Sequence, residues 1–229
     1  PGEFSVNHGR ARYGDCDAEL EGSLQLTDWS FLPGNQWTAD VNVLQSSVDH
    51  VQQLFGLKLP VSGRLTGQFH GSGTRAAPSV TGLFDLADGR AGGVFFHRLR
   101  GQVNWTPEEL RVANAELRIF PPGKDSGQGA GIVTGTAAYR FADGNLSLDL
   151  AGAALPLESF ERLQSPRLPI GGRLSFRLKS QGPLGAPQAE GTFRIVDLRV
   201  GQEVIGSFEG KLFADGSEAR LELGSAMAA

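Results

Sequence analysis

The chain has 229 residues, 40% apolar and 20% charged, with 21 Lys and Arg against 25 Asp and Glu, a net charge of −4 at neutral pH. That balance lacks the basic excess of a nucleic-acid-binding surface, and no apolar run reaches the roughly 18 residues of a membrane-spanning helix. The single cysteine, Cys16, excludes an intrachain disulfide, and the 32 glycines are about twice the average share.

Pro1–Phe4 reads as a cloning remnant. No signal-peptide pattern is present, so the chain reads as a piece of a longer protein whose anchor or export signal would lie outside it. Residues 5–21 read as N-terminal edge strands. Further on, Trp37, Ala39, Val41 and Val43 alternate with polar residues, the period of a strand with one buried face. Ser46 and Ser47 then stand where they can cap a short helix, with Val48, Val51 and Leu54 on one stripe. The helix ends before Leu59-Pro60, because proline disfavours helical geometry in the residue preceding it.

The next run alternates again. Val61, Gly63, Leu65, Gly67 and Phe69 face one way, and Ser62, Arg64, Thr66, Gln68 and His70 the other. Val80, Phe84 and Leu86 follow in the same manner. Then Phe95, Leu99, Val103 and Trp105 are expected on one side, with Arg98, Arg100, Gln102 and Asn104 on the other. Glycines inside these strands, such as Gly63, Gly67, Gly82 and Gly101, permit strong bending.

From there the sequence repeats itself. Residues 59–86 return as residues 168–195, an offset of 168 − 59 = 109, with 14 identities in the 46 pairs from Leu59/Leu168 to Asn104/Phe213. Backwards, Gly22 and Thr27 fall on Gly131 and Thr136, the Trp37–Val43 run on Leu146, Leu148 and Leu150, and the helix stripe on Leu157, Phe160 and Leu163, with Pro156 where a first turn tolerates it. The copied strands carry Ile170, Leu174, Phe176 and Leu178, then Ala189, Phe193 and Ile195, then Val204, Phe208 and Leu212. Ala142-Asp143-Gly144-Asn145 and Ala214-Asp215-Gly216-Ser217 read as hairpin turns. Residues 22–130 thus form one unit and residues 131–229 a second, truncated one, each with roughly six strands and one short helix. An internal repeat of this kind marks a stacked architecture. Strands with one apolar and one wet face make an antiparallel sheet. The expected fold is mostly β, a repetitive antiparallel sheet curled into an elongated taco-like open groove. Alternation alone leaves a filled sandwich open as well.

No catalytic constellation stands out. His8, His50, His70 and His97 are scattered without metal-ligand spacing, and Asp15-Cys16-Asp17 has no second cluster to complete it. The glycines at 127, 129 and 131 lack the Gly-Lys-Ser/Thr ending of a phosphate loop, and no Gly-x-Ser-x-Gly elbow occurs. Neither an enzyme, a metal site nor a cofactor is expected. What the pattern supplies is a greasy lining: Val41, Val61, Leu65, Phe69, Phe84, Leu86, Phe95, Leu99 and Val103, with Leu148, Leu150, Ile170, Leu174, Phe176, Leu178, Phe193, Ile195, Val204, Phe208 and Leu212. Acyl chains need such a continuous apolar surface, worth about 0.8 kcal/mol per buried methylene.

The order of short helix, Leu-Pro-(Val/Ile)-x-Gly-x-Leu strand, Gly-x-x-x-Ala-Pro turn and Gly-x-Phe-x-(Leu/Ile) strand appears twice. It is carried by LPVSGRLTG…GTRAAPSVTGLFDL and LPIGGRLSF…GPLGAPQAEGTFRI. This arrangement, over roughly residues 20–223, resembles the TamB family within the wider AsmA-like group of bridge proteins. The resemblance implies a β-taco with a hydrophobic groove, in the periplasm of a diderm bacterium, within a protein anchored in the inner membrane. It implies phospholipid or another acyl-chain ligand carried toward the outer membrane, or help with outer-membrane protein assembly and secretion. It also implies a TamA/Omp85-type outer-membrane barrel as partner, met through regions outside this chain. The N-terminal membrane helix and the C-terminal partner-binding domain of that family have no counterpart here. The alternative function is a scaffold or chaperone that pairs its sheet edge with client strands.

Overall fold

The computed structural model describes residues 2–55, 61–91, 94–121, 123, 129–165, 168–183, 185–216 and 218–227. The Leu59-Pro60 pair, Gly127, Gln128 and Ser217 lie outside them, as does the Leu54 side chain.

One antiparallel sheet of thirteen strands runs in sequence order from end to end. The strands are β1 (Gly2–Tyr13), β2 (Cys16–Leu26), β3 (Gln36–Ser47), β4 (Val61–Thr74), β5 (Pro78–Ala91), β6 (Val94–Trp105), β7 (Glu109–Ile119), β8 (Gly131–Arg140), β9 (Asn145–Pro156), β10 (Ile170–Pro183), β11 (Gln188–Val200), β12 (Glu203–Asp215) and β13 (Glu218–Met227). The order is linear and β1 and β13 are its two edges, so the sheet does not close. At about 4.8 Å between neighbours, it spans roughly 60 Å across its strands. Residues 2–4 belong to β1, with Gly2 opposite Leu26 and Phe4 opposite Leu24. β3 and β9 share the 109-residue offset at both of their ends.

Alternate connections fall on alternate rims. One rim carries short hairpins and the longer connection of residues 27–35; among the hairpins are the two Asp-Gly turns, whose Gly144 and Gly216 adopt φ of 63° and 61° as such turns require. The other rim alternates two-residue links with three long connections, residues 48–60, 120–130 and 157–169, and is partly covered. There α1 (Val48–Phe55) follows β3, and two 3-10 turns, Leu157–Ser159 and Glu161–Leu163, follow β9. The second unit therefore has no α-helix at the predicted place. Phe160 takes an extended backbone (φ −94°, ψ 94°) and forms a β-bridge with Val94 at the start of β6, which splits the helical segment in two. Ser46 is not free to cap α1 either. It lies in β3 and its hydroxyl accepts from the Asp17 N–H.

The core lies beneath this covered rim. Val48, Leu86, Phe96, Ile119 and Leu155 form one buried cluster, with Leu65, Phe84, Leu99, Phe160, Leu174 and Phe176 packed against it. The segment after β9 reaches back across β8 and β7. Ser159 donates to the Phe120 carbonyl at 2.8 Å, and Glu161 meets Arg90 at 3.1 Å.

A row of bulges sets this geometry. Each of β1, β3, β5, β7, β9 and β11, all running toward the covered rim, holds one non-glycine residue in the left-handed region. They are His8, Gln45, Asp88, Asn114, Ala154 and Asp197, with φ between 48° and 57°. Each of them sits at a register shift or at a break in the strict pairing. An extra residue shifts the period-2 alternation by one and bends the strand. In β3 the inward positions pass from Val43 to Ser46, and in β9 from Gly152 to Leu155. In β5 they pass from Leu86 to Gly89. β6 stays in register with β5 through the bulge, with Leu86 opposite Leu99 and Gly89 opposite Phe96. Phe96 therefore enters the core, and the expected inward placement of Phe95 is corrected: it faces outward and stacks edge-on against His97 at 5.1 Å. The same shift at Asp197 puts Val204 opposite Arg199 on the outer face, half exposed, where an inward position was expected.

Removing the two neighbouring rings should separate the faces. Phe96→Ala is expected to cost about 3–5 kcal/mol, and Phe95→Ala about 1 kcal/mol, in denaturant unfolding. Equal losses would contradict the shifted alternation.

Candidate functional site: the apolar face

Strand registers place the predicted lining residues side by side. One row crosses the sheet through Leu20, Val41, Phe69, Gly82, Val103, Val112, Ala137 and Leu148. A second runs through Val43, Gly67, Phe84 and Gly101, and in the later strands through Leu150, Leu178, Gly191, Leu212 and Leu221. A third joins Leu65, Leu86, Leu99, Leu117 and Val133 to Gly152, Phe176, Phe193 and Gly210. Leu174, Ile195 and Phe208 are opposite one another on the same face, and Val61 and Ile170 pair Ala91 and Val200. Apart from Phe95 and Val204, every predicted lining residue therefore belongs to one face.

Its relief comes from pairing rings with glycines across strands. Phe84 lies against Gly101 and Phe193 against Gly210, so a Cβ at these glycines would stand 3.1 and 2.9 Å from the ring. Trp37 covers Gly71, with 2.7 Å to such a Cβ, while Phe69 covers Gly82 and Phe176 covers Gly152 more closely still. A ring filling the space above a neighbour's bare backbone supports the sheet and leaves no polar main chain showing there.

Toward the covered rim this face is dry core. Toward the hairpin rim Val41, Phe69, Val103, Leu148, Leu150, Leu178 and Leu212 are half-buried, with only one another for cover. Around the first three strands a depression of about 350 Å³ is lined by Phe4, Val6, Leu20, Leu24, Phe31 and Trp37. Sequence reasoning missed most of this depression. Phe4 read as a remnant, and the first strands match their copies weakly. The alternation of Leu20 and Leu24 about Gly22 was the signal available.

Charges lie on the opposite face. Arg98 grips Asp85, Arg10 grips Asp17, and Glu116 accepts from Arg100 at 2.8 Å and Arg118 at 2.7 Å. His70 meets Asp40 at 2.8 Å and His8 meets Glu21 at 2.9 Å, while at the covered rim His50 of α1 is held by Asp15 of the β1–β2 turn. The Arg100 and Arg118 hydrogen bonds hold the Glu116 carboxyl below its ordinary value, and Arg10 does the same for Asp17. Among the described residues no group of three or more His, Cys, Asp or Glu could hold a metal ion, and no helix is long and apolar enough to cross a membrane. No family model, no curated protein and no solved structure matches the chain.

Two outcomes test this description. Gly82→Val forces the Phe69 ring and the Gln68 backbone apart and should cost about 1–3 kcal/mol, whereas Gly34→Ala, which meets nothing within 4 Å, should be close to neutral. A depressed carboxylate adds stability above its unfolded value and loses it as pH falls through its folded value. Wild-type stability should therefore drop more steeply below the ordinary 4.5 of Glu116 than that of Glu116→Gln, measured by urea unfolding from pH 6 to pH 3.

Proposed function

We propose that this sheet is a lipid-carrying segment of the bridge type, holding the acyl chains of phospholipid on its apolar face as they move between the inner and outer membranes across the periplasm. The observation that carries the reading is the one-sidedness of the sheet. Thirteen strands share an apolar face that is glycine-smoothed and open along the hairpin rim, while the ion pairs occupy the other. A lining made mostly of aliphatic groups, rings and glycines, with few hydrogen-bonding groups such as Ser180 opposite Leu148, suits a ligand that must slide, because each methylene buried on it gains about 0.8 kcal/mol. The motif order that resembles the TamB family supports the same reading. With it come the proposed inner-membrane anchor and the TamA-type barrel partner, both engaged through regions outside this chain.

A second reading, a scaffold that pairs client strands during outer-membrane protein assembly or secretion, is favoured by the two free edges, β1 and β13. Photo-crosslinkers at Phe69 or Phe176 that trap lipid support the conduit. Crosslinkers on the edges that trap polypeptide support the scaffold.

Tryptophan reports on the first reading directly. Trp37 and Trp105 are on the apolar face, opposite Leu24 and Val80, while Trp29 is 85% exposed in a loop. In a Trp29→Phe background, phospholipid brominated on its acyl chains should quench the remaining emission. Val103→Asp and Leu148→Asp, both on the uncovered part of the face, should weaken that quenching about tenfold or more. Leu65 and Leu174 suit this test less well, since both pack on the core. Absence of quenching, together with no phospholipid in organic extracts of the purified chain, would sink the conduit.

A further inference from the structure

The two edge strands differ in where they are broken. β1 is interrupted at His8, which takes φ 57° where the register against β2 slips between Val6 and Gly9. A bulge on an edge strand blunts it against pairing. β13 shifts register near its far end, where Gly224 stands between Leu223 and Ser225, but from Glu218 to Leu223 it keeps constant register with β12, and no described residue of β13 adopts positive φ. Its apolar side is the least covered part of the inner face, with Leu221 65% and Leu223 68% exposed.

We infer that β13 pairs with β13 of a second copy of this chain, antiparallel about a two-fold axis normal to the sheet. Among registers centred on its three middle residues, the sequence of the strand favours one. Opposed residues of an antiparallel pair lie on the same face, so apolar Leu221 must meet another inward residue. Centring on Arg220 would oppose Arg220 to itself and Glu218 to Glu222. Centring on Glu222 would oppose that carboxylate to its own copy. Centring on Leu221 joins the leucine to its copy, Leu223 to Ala219 of the second copy, and Arg220 to Glu222 of the second copy, twice by symmetry. Arg220 and Glu222 now pair within the strand at 3.0 Å, both on the wet face, with side chains 77% and 44% exposed. Lys211 stands opposite Glu222 in β12, so across the joint the wet face would alternate lysine, glutamate and arginine. The same operation sets the two apolar faces side by side and covers Leu221 and Leu223. The inference concerns the lipid-free chain and stands or falls independently of lipid carriage.

The test is analytical ultracentrifugation of the lipid-free chain at tens of micromolar. A monomer–dimer equilibrium is expected. Arg220→Glu alone and Glu222→Arg alone should each weaken it about tenfold or more by opposing like charges. An equimolar mixture of the two single variants should form a heterodimer, since each supplies the charges the other lacks, and the double variant R220E/E222R should dimerise like the wild type. Both positions are exposed, and circular dichroism verifies that each variant stays folded. A chain that remains monomeric, a dimer indifferent to both charge reversals, or one broken only by substitutions in β1 would overturn the inference.

Discussion

The row of left-handed residues on the strands that run toward the covered rim is the constraint on which the rest of the molecule depends. A non-glycine residue at φ near 50° carries a local cost of about 1 kcal/mol or more, and it persists only where its surroundings over-determine it. Here the surroundings are the buried cluster itself. Gln45, Asp88 and Ala154 each stand just before the place where their strand turns a residue into that cluster or beside it: Ser46, Gly89 and Leu155. The bend brings the strand ends over the apolar face, and the cluster holds the bend.

The repeat is recorded most faithfully at these places. Gln45 and Ala154, Asp88 and Asp197, Gly63 and Gly172, and Gly73 and Gly182 are each separated by 109 residues, and all have positive φ. Three of these four pairs are identical residues, in a stretch where most positions differ. The Phe84–Gly101 contact and its copy Phe193–Gly210 are likewise identical in both partners. Identity is thus found at several places where the backbone leaves the ordinary β region or where a ring needs a bare backbone beneath it, besides pairs such as Arg64 and Arg173, Leu65 and Leu174, and Pro78 and Pro187.

This explains what could be read in the sequence and what could not. The antiparallel class followed from the alternation in residues 61–70 and from the Asp-Gly turns, because both are local. The inward positions of Leu65, Phe69, Phe84 and Leu99 followed from the same alternation. The failures begin where the alternation shifts. Phe95 and Phe96 are adjacent and chemically the same, and only the bulge opposite them decides which is buried. Asp88 matched by Asp197 was the available sign, since Asp tolerates the left-handed region better than most residues. The split of the second helical segment rests on a long-range bridge from Phe160 to Val94, which no local pattern around Leu157 contains.

The same bulges divide the apolar face into two environments. Near the covered rim, α1 and the 3-10 turns close over rings that are already packed, and Phe96, Ile119 and Leu155 have almost no surface left to offer a ligand. Near the hairpin rim the connections are short apart from residues 27–35 between β2 and β3, and the face keeps part of its exposure from strand to strand. A surface that stabilises the fold must be filled, whereas one that exchanges an apolar ligand must be left partly uncovered. In this chain a filled and an uncovered apolar surface are found on one sheet, at opposite ends of each strand. Any apolar passenger would then travel along the hairpin side, across the strands, while the covered side keeps the sheet curled around it.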